Sequence, residues 1–316
     1  MGPEILLRHL EHELPYQPIL VAEASALESV RALVSERLWT QLRFVSTLSE
    51  WTRGDGVPVL DPTGSEREVS PGDPTEADAV GAIAALDLAI ELARDGVVSG
   101  MVTAPLSKET VARYCLPDFR GHTDYLAARC GLTTYGRDFL MAFIARELQV
   151  TLLTTHIPLS EAVAAVDQSR IVEALACLDS AAGGKIAVAG LNPHAGESGL
   201  LGTEERDVIR PAVEQARSMG IDAHGPESPD SLFARARGGE FDWVLALYHD
   251  QGLIPIKTMG FGSATNWTLG LPFVRTSVDH GTAFDIAGRG VASVEPLVEA
   301  GRSAVALIEG SLPRRG

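Results

Sequence analysis

Three histidines stand at the ends of apolar runs that have the length and bulk of buried β-strands. They are His156 after residues 149–155, His194 after residues 185–191, and His249 after residues 243–248. The carboxyl ends of parallel strands lie along one edge of a sheet, so we expect the three imidazoles to converge although they are far apart in sequence. Three neutral imidazoles suit a divalent metal and leave coordination positions open for substrate oxygens. The alternatives are a metal-free proton relay and, for each histidine alone, an ordinary strand-end residue bonded to a carbonyl.

The segment that follows His249 carries isolated polar side chains among glycines and apolar residues. Lys257 and Arg275 are its cations, and Asn266 lies between them. Because the chain has a net charge of −16, an anionic ligand must be met by a few placed cations such as these. The alternative is a buried ion pair for each cation, since Lys and Arg rarely lie unpaired inside a protein.

A fourth histidine, His122, stands in the stretch RGHTD just ahead of a predicted helix. Backbone N–H groups at the start of that helix, together with the Thr123 hydroxyl, could receive an anion. The alternative is plain capping of the helix by Thr123 or Asp124.

Strand and helix patterns alternate along most of the chain. Strands are predicted near 18–22, 97–103, 150–155, 185–190, 221–224 and 243–248, and helices near 24–38, 160–182, 203–219 and 292–310. Thr75 and Asp78 have the pattern of a capping box that opens a further long helix, which Gly96 ends. Such alternation predicts parallel strands with covering helices.

Composition sets the outer bounds. With 316 residues and 45% apolar content, the chain can bury the core of one large or two moderate domains. The negative net charge argues against nucleic acid or an anionic membrane as a partner. Three cysteines without C-x-x-C spacing fit a reducing compartment, and the acidic first residues do not resemble a signal peptide. Together with the lack of an apolar run of about 18 residues, these features predict a cytoplasmic protein.

Longer motifs carry more information than spacing alone. In chain order they read TAP-x-x-K-E, GHTDYLA, TTHIPL, LNPHAGE-x-G-x-x-G-x-EE, YHDQG-x-x-x-x-K and GFG-x-x-x-N-x-TLGLPF-x-RTSVDHGTA-x-D-x-AG. This set resembles the 4-hydroxythreonine-4-phosphate dehydrogenase family of pyridoxine biosynthesis, including its phospho-sugar-acid relatives. The resemblance extends in the same order from about Gly2 to Val291.

The resemblance implies roles for individual residues. A divalent metal (Zn, Mg or Co) would be held by His156, His194 and His249, which together with Asp230 form the implied catalytic set. The implied substrate-binding residues are His122, Thr123, Lys257, Asn266 and Arg275. The HGTA segment also resembles the adenosine-contacting loop of isopropylmalate and isocitrate dehydrogenases, which implies NAD (or NADP) without a G-x-G-x-x-G fingerprint. The implied cofactor-binding residues are His280, Gly281, Thr282 and Asp285.

The implied fold is α/β, with two α/β/α layers of mostly parallel sheet and the active site in the cleft between them. It is like that of isopropylmalate and isocitrate dehydrogenases and is not a Rossmann fold. We expect residues 1–106 and 258–316 to form the NAD-associated domain, and residues 107–257 to form the metal-binding and dimerisation domain. The family resemblance also implies a homodimer with a shared active site, to which one histidine is donated across the interface.

The implied activity is the oxidation of 4-(phosphooxy)-L-threonine, followed by decarboxylation to 3-amino-2-oxopropyl phosphate and CO2. Within the family, 4-phospho-D-threonate, 4-phosphoerythronate or an aromatic dihydrodiol acid are alternative substrates. A zinc hydrolase that activates water is an alternative of another class. A non-catalytic nucleotide-binding protein is a third, which has no use for three converging imidazoles.

Two departures from the family pattern stand out. Family members open with a strand and a glycine-rich loop that ends in Gly-Pro-Glu, whereas here Gly2-Pro3-Glu4 stands at the start, so the NAD-associated domain is expected to lack that strand. At Ser107 the family usually has His or Asn before the lysine, here Lys108, which weakens any role carried over to position 107.

Overall fold

The structure is a computed structural model that describes residues 1–145, 147–260, 262 and 264–311. The helices are α1 (Gly2–Arg8), α2 (Ala24–Glu28), α3 (Glu36–Trp39), α4 (Glu76–Arg94), α5 (Lys108–Tyr114), α6 (His122–Arg129), α7 (Leu159–Ala164), α8 (Gln168–Ala181), α9 (Arg210–Ser218), α10 (Pro229–Arg237), α11 (His249–Gly260) and α12 (Glu295–Ile308). The strands are β1 (Leu20–Val21), β2 (Leu42–Val45), β3 (Val57–Leu60), β4 (Gly100–Thr103), β5 (Leu140–Ala145), β6 (Leu148–Leu152), β7 (Ile186–Ala189), β8 (Ala223–Glu227), β9 (Trp243–Ala246), β10 (Thr265–Leu269) and β11 (Val274–Val278).

The chain divides into two compact units. Unit 1 is formed by Met1–Arg129 with Phe273–Ile308, and the body of unit 2 is Cys130–Pro272. Both boundaries lie later than the predicted ones at 106/107 and 257/258. The first is later because α5 packs against α4 of unit 1, and the second because β10 pairs with β5 of unit 2.

Unit 1 contains two parallel arrangements. The short strands β1, β3 and β2 form a three-stranded parallel sheet, and β4 pairs in parallel with β11. The long helix α4 begins with the predicted capping box, in which the Thr75 hydroxyl accepts from the Asp78 N–H while the Asp78 carboxylate accepts from the Thr75 N–H. The α1 helix buries Ile5 in a core shared with Val278 and Leu297.

Unit 2 is built on a mixed sheet in the order β10-β5-β6-β9-β7-β8. Strand β5 is antiparallel to both β10 and β6, whereas β6, β9, β7 and β8 pair in parallel. Its core is centred on apolar side chains of these strands, including Phe143, Val150 and Val244, each at most 2% exposed. The α/β class with mostly parallel strand pairing is confirmed.

Several local predictions need correction. The helix predicted over 24–38 is wrong, because α2 ends at Glu28 and the Ser35 hydroxyl accepts from the Leu38 N–H to open the separate helix α3. The strands β5, β10 and β11 were not predicted. None of the described helices is long and apolar enough to cross a membrane.

Candidate active site

The three strands that lead to His156, His194 and His249 are neighbours. Strand β9, which precedes His249, pairs in parallel with β6 on one side and with β7 on the other. The carboxyl ends of these strands therefore share one edge of the sheet, as the alternation of elements predicted.

Buried side chains hold these strand ends together. The Thr154 hydroxyl donates to the Leu247 carbonyl at 2.8 Å, which ties the segment before His156 to the end of β9. The Gln251 amide accepts from the Leu247 N–H and donates to the Gly190 carbonyl, both at 2.7 Å, which ties β9 to the end of β7. Because Thr154 and Gln251 are buried and both groups of the Gln251 amide are hydrogen-bonded, the edge is held in a single arrangement.

Two of the predicted histidines lie together. The ring centroids of His156 and His249 are 5.4 Å apart, with the planes tilted by 47°. The Asp250 carboxylate lies 2.7 Å from His249 Nδ1. This contact favours a proton on Nδ1 and leaves the lone pair of Nε2 for a metal, the usual arrangement of a carboxylate behind a histidine ligand.

The third histidine, His194, lies in a different backbone conformation and is exposed. His194 lies in a turn whose residues from 194 to 198 all have left-handed backbone dihedrals, beginning with φ 52° at His194 itself. The carboxylate of Glu205 accepts from the N–H groups of Leu191 and Asn192, both at 2.7 Å, and so fixes the entry to this turn. The His194 side chain is 63% exposed, and its Nδ1 lies 3.9 Å from the carboxylate of Asp230.

The predicted metal trio is therefore only partly assembled. Within the described part of the chain, no group of three or more His, Cys, Asp or Glu side chains could hold a metal ion. The His156 and His249 pair, with Asp250 behind it, has donors that fit a divalent cation but needs at least one further ligand. The other two residues of the implied catalytic set, His194 and Asp230, lie near each other and are both exposed.

Unit 1 gathers cationic groups around His122. Arg275 is 1% exposed on β11, and its Nη2 donates to the Thr103 hydroxyl at 2.6 Å. Burial, and then the nearby charges of Arg275 and Lys108, lower the pKa of His122 to about 3, so its imidazole is neutral at pH 7. Burial also lowers the pKa of Arg275 to about 9, which leaves the guanidinium charged at pH 7. A buried cation with a neutral imidazole and a hydroxyl suits an anionic ligand.

Lys108 is a member of this group that was not assigned a role from the sequence. It opens α5 after the N-cap Ser107, whose hydroxyl accepts from the Thr110 N–H. The Lys108 stem packs so closely on the Gly121 backbone that a Cβ at Gly121 would lie 2.9 Å from Lys108 Cε. Its place in the TAP-x-x-K-E motif is the sequence feature that could have identified it.

The other predicted substrate residues are divided between the units. Thr123 is buried in α6 of unit 1, next to His122. Lys257 is exposed near the end of α11, and Asn266 lies on β10, both in unit 2. The Asn266 Oδ1 atom is buried and has no hydrogen-bond partner within the residues that the structure describes. Such an atom is suited to a ligand that brings its own donor.

The predicted cofactor residues lie on one loop of unit 1, between β11 and α12. His280, Gly281 and Asp285 are exposed, and Thr282 is half-buried. No atom beyond the neighbouring residues lies within 4 Å of the place where a Gly281 side chain would start, so its backbone is open to a ligand. An imidazole, an open backbone, a hydroxyl and a carboxylate fit the base and the ribose hydroxyls of an adenosine.

Comparison with known proteins shows the family of the chain. The model of the pyridoxal phosphate biosynthetic protein PdxA family matches residues 15–304. The chain belongs to the PdxA family. This confirms the resemblance that the motifs carried, and membership makes the chain an oxidoreductase, for which a nicotinamide cofactor and a metal are implied in general terms.

Individual PdxA relatives cover almost the whole chain. A 4-hydroxythreonine-4-phosphate dehydrogenase from Beijerinckia indica subsp. indica is 41% identical over 94% of this chain and 88% of the relative. A D-threonate 4-phosphate dehydrogenase from Bordetella bronchiseptica is 39% identical over 98% of this chain and 90% of the relative. The crystal structure of 4-hydroxythreonine-4-phosphate dehydrogenase from Klebsiella pneumoniae superposes with a TM-score of 0.84, at 35% identity, over 97% of this chain and 96% of that one.

Proposed function

We propose that the chain is a 4-hydroxythreonine-4-phosphate dehydrogenase that depends on NAD and a divalent metal. It oxidises the secondary alcohol of 4-(phosphooxy)-L-threonine and releases CO2 to give 3-amino-2-oxopropyl phosphate. The observation that carries the proposal is the pair of His156 and His249 with Asp250 behind it, at the shared edge of three parallel strands of a PdxA-family chain.

The histidine pair is assigned to the metal. When bound, a divalent cation such as Zn, Mg or Co supplies Lewis acidity, which lowers the pKa of a bound hydroxyl and stabilises the negative charge that forms as CO2 leaves. Asp250 orients His249 and holds the proton on Nδ1, and the ties from Thr154 and Gln251 keep the pair in place before the substrate arrives. This preorganisation lowers the cost of bringing the reacting groups together.

The cationic group of unit 1 is assigned to the phosphate. Arg275 is charged, buried and oriented by Thr103, and its planar guanidinium suits two phosphate oxygens at once. His122, Thr123 and Lys108 add an imidazole, a hydroxyl and an ammonium from the same unit. Unit 2 offers substrate-binding groups of its own, since the Lys257 ammonium suits an anionic group and the buried Asn266 oxygen suits a hydroxyl or amino donor.

The loop with His280, Gly281, Thr282 and Asp285 would hold NAD, which would supply the hydride acceptor for oxidation at the carbinol carbon. Asp285 is exposed, and its carboxylate is the type of group that accepts from a ribose 2′-hydroxyl. A carboxylate at this place also repels a 2′-phosphate, so NAD is preferred to NADP.

We further propose a homodimer in which His194 completes the metal site of the partner subunit. The proposal is supported by the incomplete histidine pair and by the exposure of His194, which is followed by Leu200, 82% exposed. A large apolar side chain that is so exposed beside a candidate ligand fits burial against a second copy of the chain.

Mixtures of inactive variants test this arrangement. In a heterodimer of His194→Ala and His249→Ala subunits, one site receives an intact pair from one chain and an intact His194 from the other. Random exchange should therefore restore about a quarter of the wild-type activity, since about half the dimers are mixed and each has one of two sites repaired. The control mixture, His156→Ala with His249→Ala, should stay inactive because both residues belong to the same pair. Equal activity of the two mixtures would contradict the sharing of His194.

The activity itself is tested by steady-state rates on a panel of hydroxy acids with NAD and a divalent metal. We expect the highest kcat/KM for 4-(phosphooxy)-L-threonine, with CO2 released in step with NADH. The panel also contains 4-phospho-D-threonate, on which the relative from Bordetella bronchiseptica is named to act. Higher kcat/KM for that compound would replace the proposed substrate and retain the dehydrogenase. Failure of every panel member would reject the proposed function.

A further inference from the structure

The Glu4 carboxylate is fully buried in unit 1, although Glu4 lies at the start of the first helix. Its Oε2 atom accepts from the Gly288 N–H at 2.8 Å, and its Oε1 atom accepts from the Ala292 N–H at 3.3 Å. Arg8, one helical turn later, donates from Nη1 to Glu4 Oε1 at 3.2 Å and to the Ala292 carbonyl at 2.7 Å. Helix α1 is therefore hydrogen-bonded to both ends of the segment 288–292.

This segment is the last part of the loop whose residues 280–285 are assigned to the cofactor. Between Val278, where β11 ends, and Glu295, where α12 begins, the chain forms no regular helix or strand. Its internal backbone hydrogen bonds are isolated turns, such as Ile286 N–H to the Ala283 carbonyl at 3.2 Å. A loop with so few internal bonds takes its conformation from the contacts at its ends.

Pro71 makes a second contact with the same loop, at Gly288. A Cβ at Gly288 would lie 2.6 Å from the Pro71 Cβ, so only a glycine fits there. Gly288 also has φ 75°, a conformation that other residues adopt only with strain. The backbone N–H that Glu4 accepts thus belongs to the residue that is wedged against Pro71. Glu4 and Pro71 together leave Gly288 a single position.

Burying a carboxylate is costly unless donors surround it, so the site of Glu4 needs an explanation beyond helix formation. A carboxylate at this place keeps two backbone N–H groups of an irregular segment paired, whereas an apolar residue would leave both unsatisfied. The contact joins residues that are 284 and 288 positions apart, so the loop acquires its shape only when the first helix has docked.

We propose that Glu4 is a positioning residue for the nicotinamide cofactor. Its carboxylate holds the 288–292 segment, so that the cofactor-binding residues face the adenosine. These residues are His280, Gly281, Thr282 and Asp285. The inference rests on the proposed function, because it takes the cofactor role of those four residues from it. Glu4 touches neither cofactor nor substrate in this arrangement. It raises affinity by keeping the loop in the competent conformation before the cofactor binds.

Unit 2 provides a matched control. Glu205 is also a buried carboxylate, 3% exposed, that accepts from two backbone N–H groups and shapes a loop, but its loop carries His194. Substituting either residue by glutamine retains one oxygen acceptor and removes the charge and the second acceptor. Both variants are expected to lower the melting temperature, so a general loss of stability affects the pair alike.

The experiment measures NAD binding by isothermal titration calorimetry and steady-state kinetics for wild type, Glu4→Gln and Glu205→Gln. If Glu4→Gln leaves the loop competent about a tenth of the time, the dissociation constant and the KM for NAD should rise about tenfold. At saturating NAD, kcat should stay within about twofold of wild type, because NAD then selects the competent loop. Backbone amides of 281–292 should exchange hydrogen faster in Glu4→Gln and unchanged in Glu205→Gln.

Three results would overturn the inference. The first is an NAD affinity of Glu4→Gln that equals that of wild type, and the second is an equal loss in Glu205→Gln, which would indicate general destabilisation. The third is a wild-type protein that binds no NAD, which rejects the proposed cofactor together with the inference and is recognised without any variant. If Glu4→Gln does not fold, Arg8→Met replaces it, because this variant keeps the carboxylate and removes its side-chain partner. We expect the NAD dissociation constant of Arg8→Met to rise about threefold. An unchanged constant would reject the positioning role of Glu4.

Discussion

The two units place histidine in opposite electrostatic surroundings. In unit 2, two of the three predicted metal residues stand beside carboxylates, His249 beside Asp250 and His194 beside Asp230. In unit 1, His122 stands in the field of Arg275 and Lys108, and burial with these charges lowers its pKa to about 3. One set of surroundings favours a bound cation and the other favours a bound anion. The proposed substrate carries groups of both kinds, metal-chelating oxygens and a phosphate.

The largest expected effect is a loss of metal affinity in unit 2, where the surroundings favour a cation. His249→Ala removes one imidazole of the pair, and we expect metal affinity to fall by more than about a hundredfold, because even outer partners of a ligand contribute ten- to a hundredfold. Metal content after dialysis and the titrated metal affinity measure this without any assay of turnover. His224→Gln is the matched control, since His224 also lies 2.7 Å from a carboxylate oxygen, that of Asp222, but lies outside the pair. Equal metal loss in both variants would reject the metal assignment.

The next effect is a loss of turnover of the phosphorylated substrate when the cations of unit 1 are removed. Arg275→Met removes a charge-assisted contact worth about 1.5–3 kcal/mol, so kcat/KM for the phosphorylated substrate should fall roughly ten- to a hundredfold. Lys108→Met should cost less, because Lys108 is exposed and its charge is better screened. The unphosphorylated hydroxy acid should lose little in either variant, and NAD affinity should hardly change. If Arg275→Met weakens NAD binding as strongly as turnover, the guanidinium serves the cofactor or the fold, and the phosphate assignment fails.

The last comparison concerns the pH dependence of stability. Because the folded pKa of His122 lies near 3 and its ordinary value is 6.5, the unfolded chain binds a proton in this window while the folded chain does not. Stability supplied by the neutral imidazole is thus present above about pH 6.5 and is lost as the pH falls toward about 3. In His122→Gln, the urea midpoint should fall less steeply between about pH 6.5 and pH 4 than in wild type. A slope equal to that of wild type would show that His122 titrates normally.

The sequence predicted the parts of this fold that depend on local signals. The capping box of α4 was predicted because Thr75 and Asp78 satisfy each other's backbone groups across three residues. The helix over 24–38 was predicted wrongly because its apolar spacing is helical throughout, whereas Ser35 starts a new helix. Strand β5 was missed although it is apolar throughout and follows a turn at residues 136–138, since the pattern of a short apolar run does not distinguish a buried strand from a helix segment.

The sequence by itself determined which residues are candidates and which family they belong to, because motifs such as TTHIPL and YHDQG fix residue types and local order. Only the tertiary structure decided which of them lie together. It paired His156 with His249 and turned His194 outward through a run of left-handed residues, although all three follow neighbouring strands. Side-chain direction beyond a strand end depends on the turn that follows and on buried partners such as Glu205. The hydrogen bond between Gly288 and Glu4 joins residues that are 284 positions apart, and no local sequence pattern predicts such a contact.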